Sequence, residues 1–197
     1  MLTKSELRKD ALARRRSYDG DARTRAAKQL SLQLLSLPVL RSARTISAYV
    51  PFGGEINILP TLCDLLTAPD TSLERILMPR VSGTDTLTMH LCDPSLFCGN
   101  HAGKSFIEGY GGILEPEEEW PIVAFSEADV VIIPGVAFDR RRKRIGYGRG
   151  FFDRMLPAKG GTATAIGVIF DDLLYDELPC EDHDVAMDIV VSPSEIV

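Results

Sequence analysis

From Asp21 onward, Ala22, Ala26, Leu30 and Leu34 recur at helical spacing, and this apolar stripe predicts a helix that ends or turns at Pro38. Ahead of it, Thr3-Lys4-Ser5-Glu6 has the form of a capping box, with Thr3 placed to cap and Glu6 to reach back, so a first helix is predicted to about Tyr18. The rhythm then changes. Residues 45–50 form a compact apolar run bounded by Pro51 and Gly53-Gly54, which predicts a strand, followed by a helix over 58–66 capped by Asn57. Further strands are predicted at 76–81, 87–91, 129–133, 163–169 and 189–191, with a short helix over 151–156. Residues 129–133 are apolar enough to be buried on both faces, as strands of a parallel sheet are. The alternation predicts an α/β fold, a three-layer α/β/α arrangement around a mostly parallel central sheet. Residues 92–127, rich in Gly, Glu and Pro, predict only loops and short strands.

The bulk numbers narrow the class. The 197 residues, 45% hydrophobic and 25% charged, suit one globular domain over 1–197. The apolar run at 130–136 falls far short of the ~20 residues that cross a bilayer, so no membrane span is expected. The Arg- and Ala-rich start is interrupted by Glu6, Asp10, Asp19 and Asp21, unlike a transit peptide, and a cytoplasmic location is expected. A formal charge of -6 argues against nucleic acid as a partner, and the clusters Arg14-Arg15-Arg16 and 140–144 read as solvated surface. Cys63, Cys92, Cys98 and Cys180 lack close pairing and read as free thiols. His90, Cys92, Cys98 and His101 are potential zinc ligands, but their spacing matches no common finger and 89–91 reads as strand, so ordinary packing is the better reading. No dedicated subunit-contact patch stands out, and a monomer is expected.

Open α/β sheets gather ligands at the carboxyl ends of their strands, so the loops after Val50 and after Ile133 are the places to look. The second leads through Arg144 into glycines at 146, 148 and 150, where missing Cβ atoms let backbone N–H groups approach an anion. A flexible turn would also use glycine. Arg144, Arg149 and the helix start near Phe151 favour phosphate instead. Asp153, in the first helical turn, would repel that phosphate unless a cation lay between them, which suggests Mg²⁺, with Asp188 at the opening of the last strand as second carboxylate. Lys4 and Arg8 share a helix face at i and i+4, repelling by ~0.2–0.5 kcal/mol unless an anion sits between them, and solvated charge is the commoner reading of such a pair. Glu55, after the first strand, reads either as a plain surface glutamate or as a group that orients a substrate amide or amine.

These pieces, with Arg144-Ile145-Gly146-Tyr147-Gly148-Arg149-Gly150-Phe151-Phe152-Asp153, His183-Asp184-Val185-Ala186-Met187-Asp188 and Gly111-Gly112-Ile113-Leu114-Glu115-Pro116, occur in one known order. From Lys4 to about Ser192 the chain resembles the 5-formyltetrahydrofolate cyclo-ligase (methenyltetrahydrofolate synthetase) family, whose fold is similar to that of sugar-phosphate isomerases and coenzyme A transferases. The resemblance implies ATP- and Mg²⁺-dependent closure of 5-formyltetrahydrofolate to 5,10-methenyltetrahydrofolate through an N5-iminium phosphate, with release of ADP and phosphate. It implies an ATP site at Lys4, Arg8, Arg144, Ile145, Gly146, Tyr147, Gly148, Arg149, Gly150, Phe151 and Phe152, and metal ligation by Asp153 and Asp188. Folate would face Val50, Glu55, Tyr147, Gly148, Arg149, Gly150 and Phe151, with Glu55, Arg144 and Arg149 as catalytic groups. Position 152 is more often tyrosine in that family; its missing hydroxyl removes no metal ligand. A regulatory homologue that binds nucleotide and folate without turnover is the alternative.

Overall fold

The chain start folds as its capping box dictates. In the structure, a computed structural model describing residues 3–83, 86–99, 105–179, 181 and 184–197, the Thr3 hydroxyl accepts from the Glu6 amide and the Glu6 carboxylate accepts from the Thr3 amide. This opens α1 (Lys4–Ser17). Asp19 then caps α2 (Gly20–Leu35), whose buried side includes Ala26, Leu30 and Leu34. Pro38 does not simply stop the chain, because its missing N–H and fixed φ suit the first turn of a short α3 (Pro38–Ser42).

Five strands run parallel: β1 (Thr45–Ser47), β2 (Arg75–Ser82), β7 (Val130–Pro134), β10 (Thr164–Val168) and β12 (Ile189–Val191). Two more, β3 (Thr86–Cys92) and β6 (Ile122–Val123), add on antiparallel to their neighbours, giving a seven-stranded sheet in the order β12-β10-β7-β1-β2-β3-β6. All residues of the central β7 are buried, as its unbroken apolar run requires. The α4 helix (Leu59–Thr67) follows β1; its cap residue is Ile58, although the Asn57 side chain does accept from the Leu59 amide, 3.1 Å away.

Smaller elements complete the frame. The hairpin β4 (Ile107–Glu108) and β5 (Leu114–Glu115) falls in the stretch expected to hold only loops and short strands. Strands β8 (Ala137–Asp139), β9 (Arg144–Ile145) and β11 (Leu174–Tyr175) make a separate sheet in the order β11-β8-β9. The turn between β8 and β9 is organised by the buried Asp139, whose carboxylate accepts from the amides of Arg141, Lys143 and Leu178. Beyond β9 comes α5 (Phe151–Met155), barely more than one turn long. No helix among the described residues is long and apolar enough to cross a membrane.

Three expectations need correction. Cys63 and Cys98 are joined by a disulfide, their Cα atoms 5.1 Å apart across a separation of 35 residues, because α4 packs against the turn at Pro94–Phe97; short spacing in sequence was the wrong signal. Cys92 is free and buried, which pushes its thiol up to about 12, and Cys180 lies outside the described residues. Second, Arg15 is not solvated surface but 1% exposed. It shares the inward face of α1 with Leu7 and Ala11. Third, Arg144 is buried rather than solvated, whereas Arg140, Arg141 and Arg142 are exposed as expected, Arg140 pairing with Glu195 and Asp176, Arg141 with Glu177, and Arg142 donating to the Asp188 carbonyl.

Of the two histidines among the zinc candidates, His90 is a satisfied core residue. His90 Nδ1 donates to the Trp120 carbonyl at 2.9 Å, leaving Nε2 to accept from the Thr88 hydroxyl at 3.0 Å. Cys98 is in the disulfide, and His101 lies outside the described residues.

Candidate functional site

A cavity of about 240 Å³ opens where β1 and β7 end, bounded by Tyr49 and Val50 on one side and Pro134 and Gly135 on another. The loop after β1 supplies Glu55, the β4–β5 hairpin supplies Tyr110 and Ile113, and the glycine segment closes the remaining wall. The parallel strands thus present the carboxyl-end crevice that their direction dictates.

The hairpin of β8 and β9 delivers Arg144 into this wall. Its side chain is buried, its Nη2 donates to Asp153 Oδ1 at 2.8 Å, and its guanidinium lies 5.6 Å from the centre of the Phe152 ring. The Arg144 Nε is buried without a hydrogen-bond partner among the described residues, a donor with unspent capacity beside the cavity. A Cβ at position 146 would fall 2.7 Å from Arg144 Nη1, so the close approach of backbone and guanidinium needs glycine there.

Of the residues assigned from sequence, Val50, Glu55, Arg144, Gly146, Tyr147, Arg149, Gly150, Phe151, Phe152 and Asp153 face this one cavity. Ile145 does not; its side chain is in the core and its carbonyl accepts from the Val136 amide. Gly148 lies off the cavity wall and packs toward the Arg8 guanidinium. Arg8 buttresses the loop from behind, Nε donating to the Gly146 carbonyl at 2.8 Å. One turn earlier, Lys4 Nζ sits 2.6 Å from Asp184 Oδ2 and 3.1 Å from Glu181 Oε2. Burial disfavours its charge, but the two carboxylates outweigh that and hold its pKa above the ordinary value.

Asp188 is not brought to Asp153. It opens β12, and in a parallel sheet the opening residue lies at the amino ends, away from the crevice. There its carboxylate accepts from the Ala165 amide at 2.7 Å and pairs with Lys159 at 3.4 Å. The carboxylates beside Lys4 are Asp184, part of the same sequence motif, and Glu181. The α5 helix is also too short to contribute much of a dipole, so the anion affinity of this wall rests on backbone and arginines.

Glu55 Oε2 accepts from the Phe52 amide at 3.0 Å. Burial pushes its carboxyl up to about 7, while that amide and the charges of Arg15 and Arg144 pull the other way. Tyr147, across the same space, is raised to about 12, chiefly by burial and then by the Glu55 charge. The sequence reading missed Arg15, Tyr49, Tyr110 and Asp184. Arg15 had a readable signal, since it continues the Leu7 and Ala11 face of α1.

An acidic group able to hold Mg²⁺ must offer hard oxygens with room for phosphate and water. Asp153 fits, being on the cavity wall with its side chain 22% accessible.

The 5-formyltetrahydrofolate cyclo-ligase family model matches residues 1–193. The 5-formyltetrahydrofolate cyclo-ligase of Mycolicibacterium smegmatis is 38% identical over 195 residues, covering 97% of this chain and 94% of that protein. The enzyme of the same name from Escherichia coli K12 is 28% identical, covering 93% and 96%. Among solved structures, the 5,10-methenyltetrahydrofolate synthetase of Aquifex aeolicus superposes with a TM-score of 0.80 at 26% identity, covering 99% of this chain and 92% of that one. The chain belongs to the 5-formyltetrahydrofolate cyclo-ligase family.

Proposed function

We propose that the chain catalyses the ATP- and Mg²⁺-dependent closure of 5-formyltetrahydrofolate to 5,10-methenyltetrahydrofolate, with release of ADP and phosphate. The observation that carries this reading is a single cavity flanked by the Arg144–Asp153 pair of the glycine loop and by Glu55 with the aromatic wall of Tyr110, Tyr147 and Phe151. Membership of the family and the names of its relatives support the substrate assignment.

A formyl group on N5 is an amide and a poor electrophile, so its oxygen must become a leaving group. Attack of that oxygen on the γ-phosphoryl group gives an N5-iminium phosphate; N10 then attacks the formyl carbon, loses its proton, and phosphate departs carrying the formyl oxygen. No protein nucleophile is needed, and the protein's part is alignment and charge stabilisation. Mg²⁺, when bound, would be held by Asp153 and would screen the phosphate charge. Arg144 and Arg149 face the developing negative charge. Glu55 orients the formyl-bearing end of the pterin and, ionised, accepts the N10 proton. Arg8 and Lys4 support the nucleotide side from α1. The protein is read as a cytoplasmic monomer.

The test is direct. Protein, ATP, Mg²⁺ and 5-formyltetrahydrofolate are mixed, and methenyl absorbance is followed alongside ADP release. Folded protein that binds both substrates and forms no product would establish the binding-only alternative.

A further inference from the structure

The α1 helix carries a cation that the proposed chemistry leaves unused. Arg15 is 1% exposed, yet among the described residues no carboxylate forms an ion pair with it. Its Nη1 donates to the Gly135 carbonyl at 3.1 Å, at the end of β7. Its Nη2 donates to the Tyr147 hydroxyl, and the guanidinium lies 5.1 Å from the centre of the Tyr147 ring. That hydroxyl in turn donates to the Phe52 carbonyl at 3.3 Å. A Cβ at Gly53 would stand 2.8 Å from the Tyr147 oxygen, so the loop makes room for this contact. Arg15 and Glu55 also share the walls of a small cavity behind the main one.

One guanidinium therefore joins the helix, the end of β7, the Glu55 loop and the glycine loop. Burying a guanidinium without an ion pair is costly, and a hydrophobic residue would pack the same space more cheaply. A fixed charge that aligns the cavity wall accounts for its presence.

We infer that Arg15 is a positioning residue of the active site, holding Tyr147 against the Glu55 loop and placing a buried positive charge on the wall that Glu55 shares. The inference rests on the activity proposed above. Groups acting on Glu55 from the surrounding elements are Arg15 of α1, Arg144 of β9, Tyr49 after β1, Tyr147 of the glycine loop and the Phe52 amide. Of these, Arg15 and Arg144 are the cations, Arg144 also pairing with Asp153.

The experiment compares wild type with Arg15→Met, Arg15→Lys and Tyr147→Phe. Glu55 is titrated by carboxylate ¹³C NMR without substrates, and kcat/KM for 5-formyltetrahydrofolate is measured across pH. In Arg15→Met the Glu55 midpoint is expected to rise and the acid limb of kcat/KM to move with it; Arg15→Lys, which keeps the charge, is expected to restore the midpoint. Tyr147→Phe is expected to raise KM for the folate about fivefold while changing KM for ATP little. An unmoved Glu55 midpoint in folded Arg15→Met overturns the inference. So does an unchanged folate KM in Tyr147→Phe, a result available even if Arg15→Met fails to fold. Absence of turnover by wild type would overturn the activity, while the substrate-free titration would still decide the role of Arg15.

Discussion

Arg144 and Asp153 hold each other across 2.8 Å at the cavity wall, the buried cation donating and the carboxylate accepting. Cation and anion beside one loop are what a polyphosphate with its divalent ion would need, and each keeps the other from being left uncompensated before ligands arrive. Asp153→Asn retains an acceptor for Arg144 but removes the negative charge. Turnover is expected to fall about a hundredfold or more, with little change in the melting temperature. Wild-type turnover in this variant would remove Asp153 from metal binding.

Glu55 couples activity to pH and to stability. Its carboxyl titrates at about 7 in the folded protein against an ordinary 4.5, so between those values the folded chain keeps a proton that the unfolded chain has released. That difference favours folding below the window and is lost as pH rises through it. Glu55→Gln is therefore expected to gain stability relative to wild type above pH ~7, by roughly 1–3 kcal/mol, while losing most of its turnover. Denaturant titrations at acidic and alkaline pH read the first effect, and an unchanged difference between the two pH values would contradict it.

Arg8 and Lys4 reach the glycine segment and its acidic neighbour from the same side of α1. Replacing either by alanine is expected to raise KM for ATP about five- to tenfold, and KM for the folate much less. Initial rates at varied concentrations of each substrate separate the two, and an unaffected nucleotide KM would clear both residues of this role.

The Cys63–Cys98 bond closes a span of 35 residues. Reduction, or Cys63→Ser, is expected to lower stability by about 3–4 kcal/mol through the freed unfolded chain. Neither cysteine faces the cavity, so turnover below the melting transition should persist. Thermal melts with and without reductant check this, and coincident curves would show the bond to be energetically idle.

The frame was legible where local rules dominate. The Thr3–Glu6 box and the apolar run of β7 each carry their instruction within a few residues, and both elements form where expected. The glycine segment was legible as a cavity wall because closely spaced glycines mark places where backbone comes near another group, as Gly146 does to Arg144. Errors arose where meaning depended on strand direction or on distant partners. Asp188 opens a strand, but only the parallel pairing with β10 shows that this end points away from the crevice. Arg15 reads as one of three adjacent arginines until its carbonyl and phenol partners, 120 and 132 residues away, are in place. The disulfide likewise joins cysteines whose spacing says nothing until α4 has packed.

The cations of α1 meet partners far along the chain: Gly135, Gly146, Tyr147 and Asp184. During synthesis the first helix is made well before those partners, Arg8 and Arg15 waiting for residues 135–147 and Lys4 for Asp184. The wall formed by Tyr147 and the Gly146 backbone thus leans on a helix made long before it, and a protein lacking its first seventeen residues would be expected to leave that wall without its cationic supports.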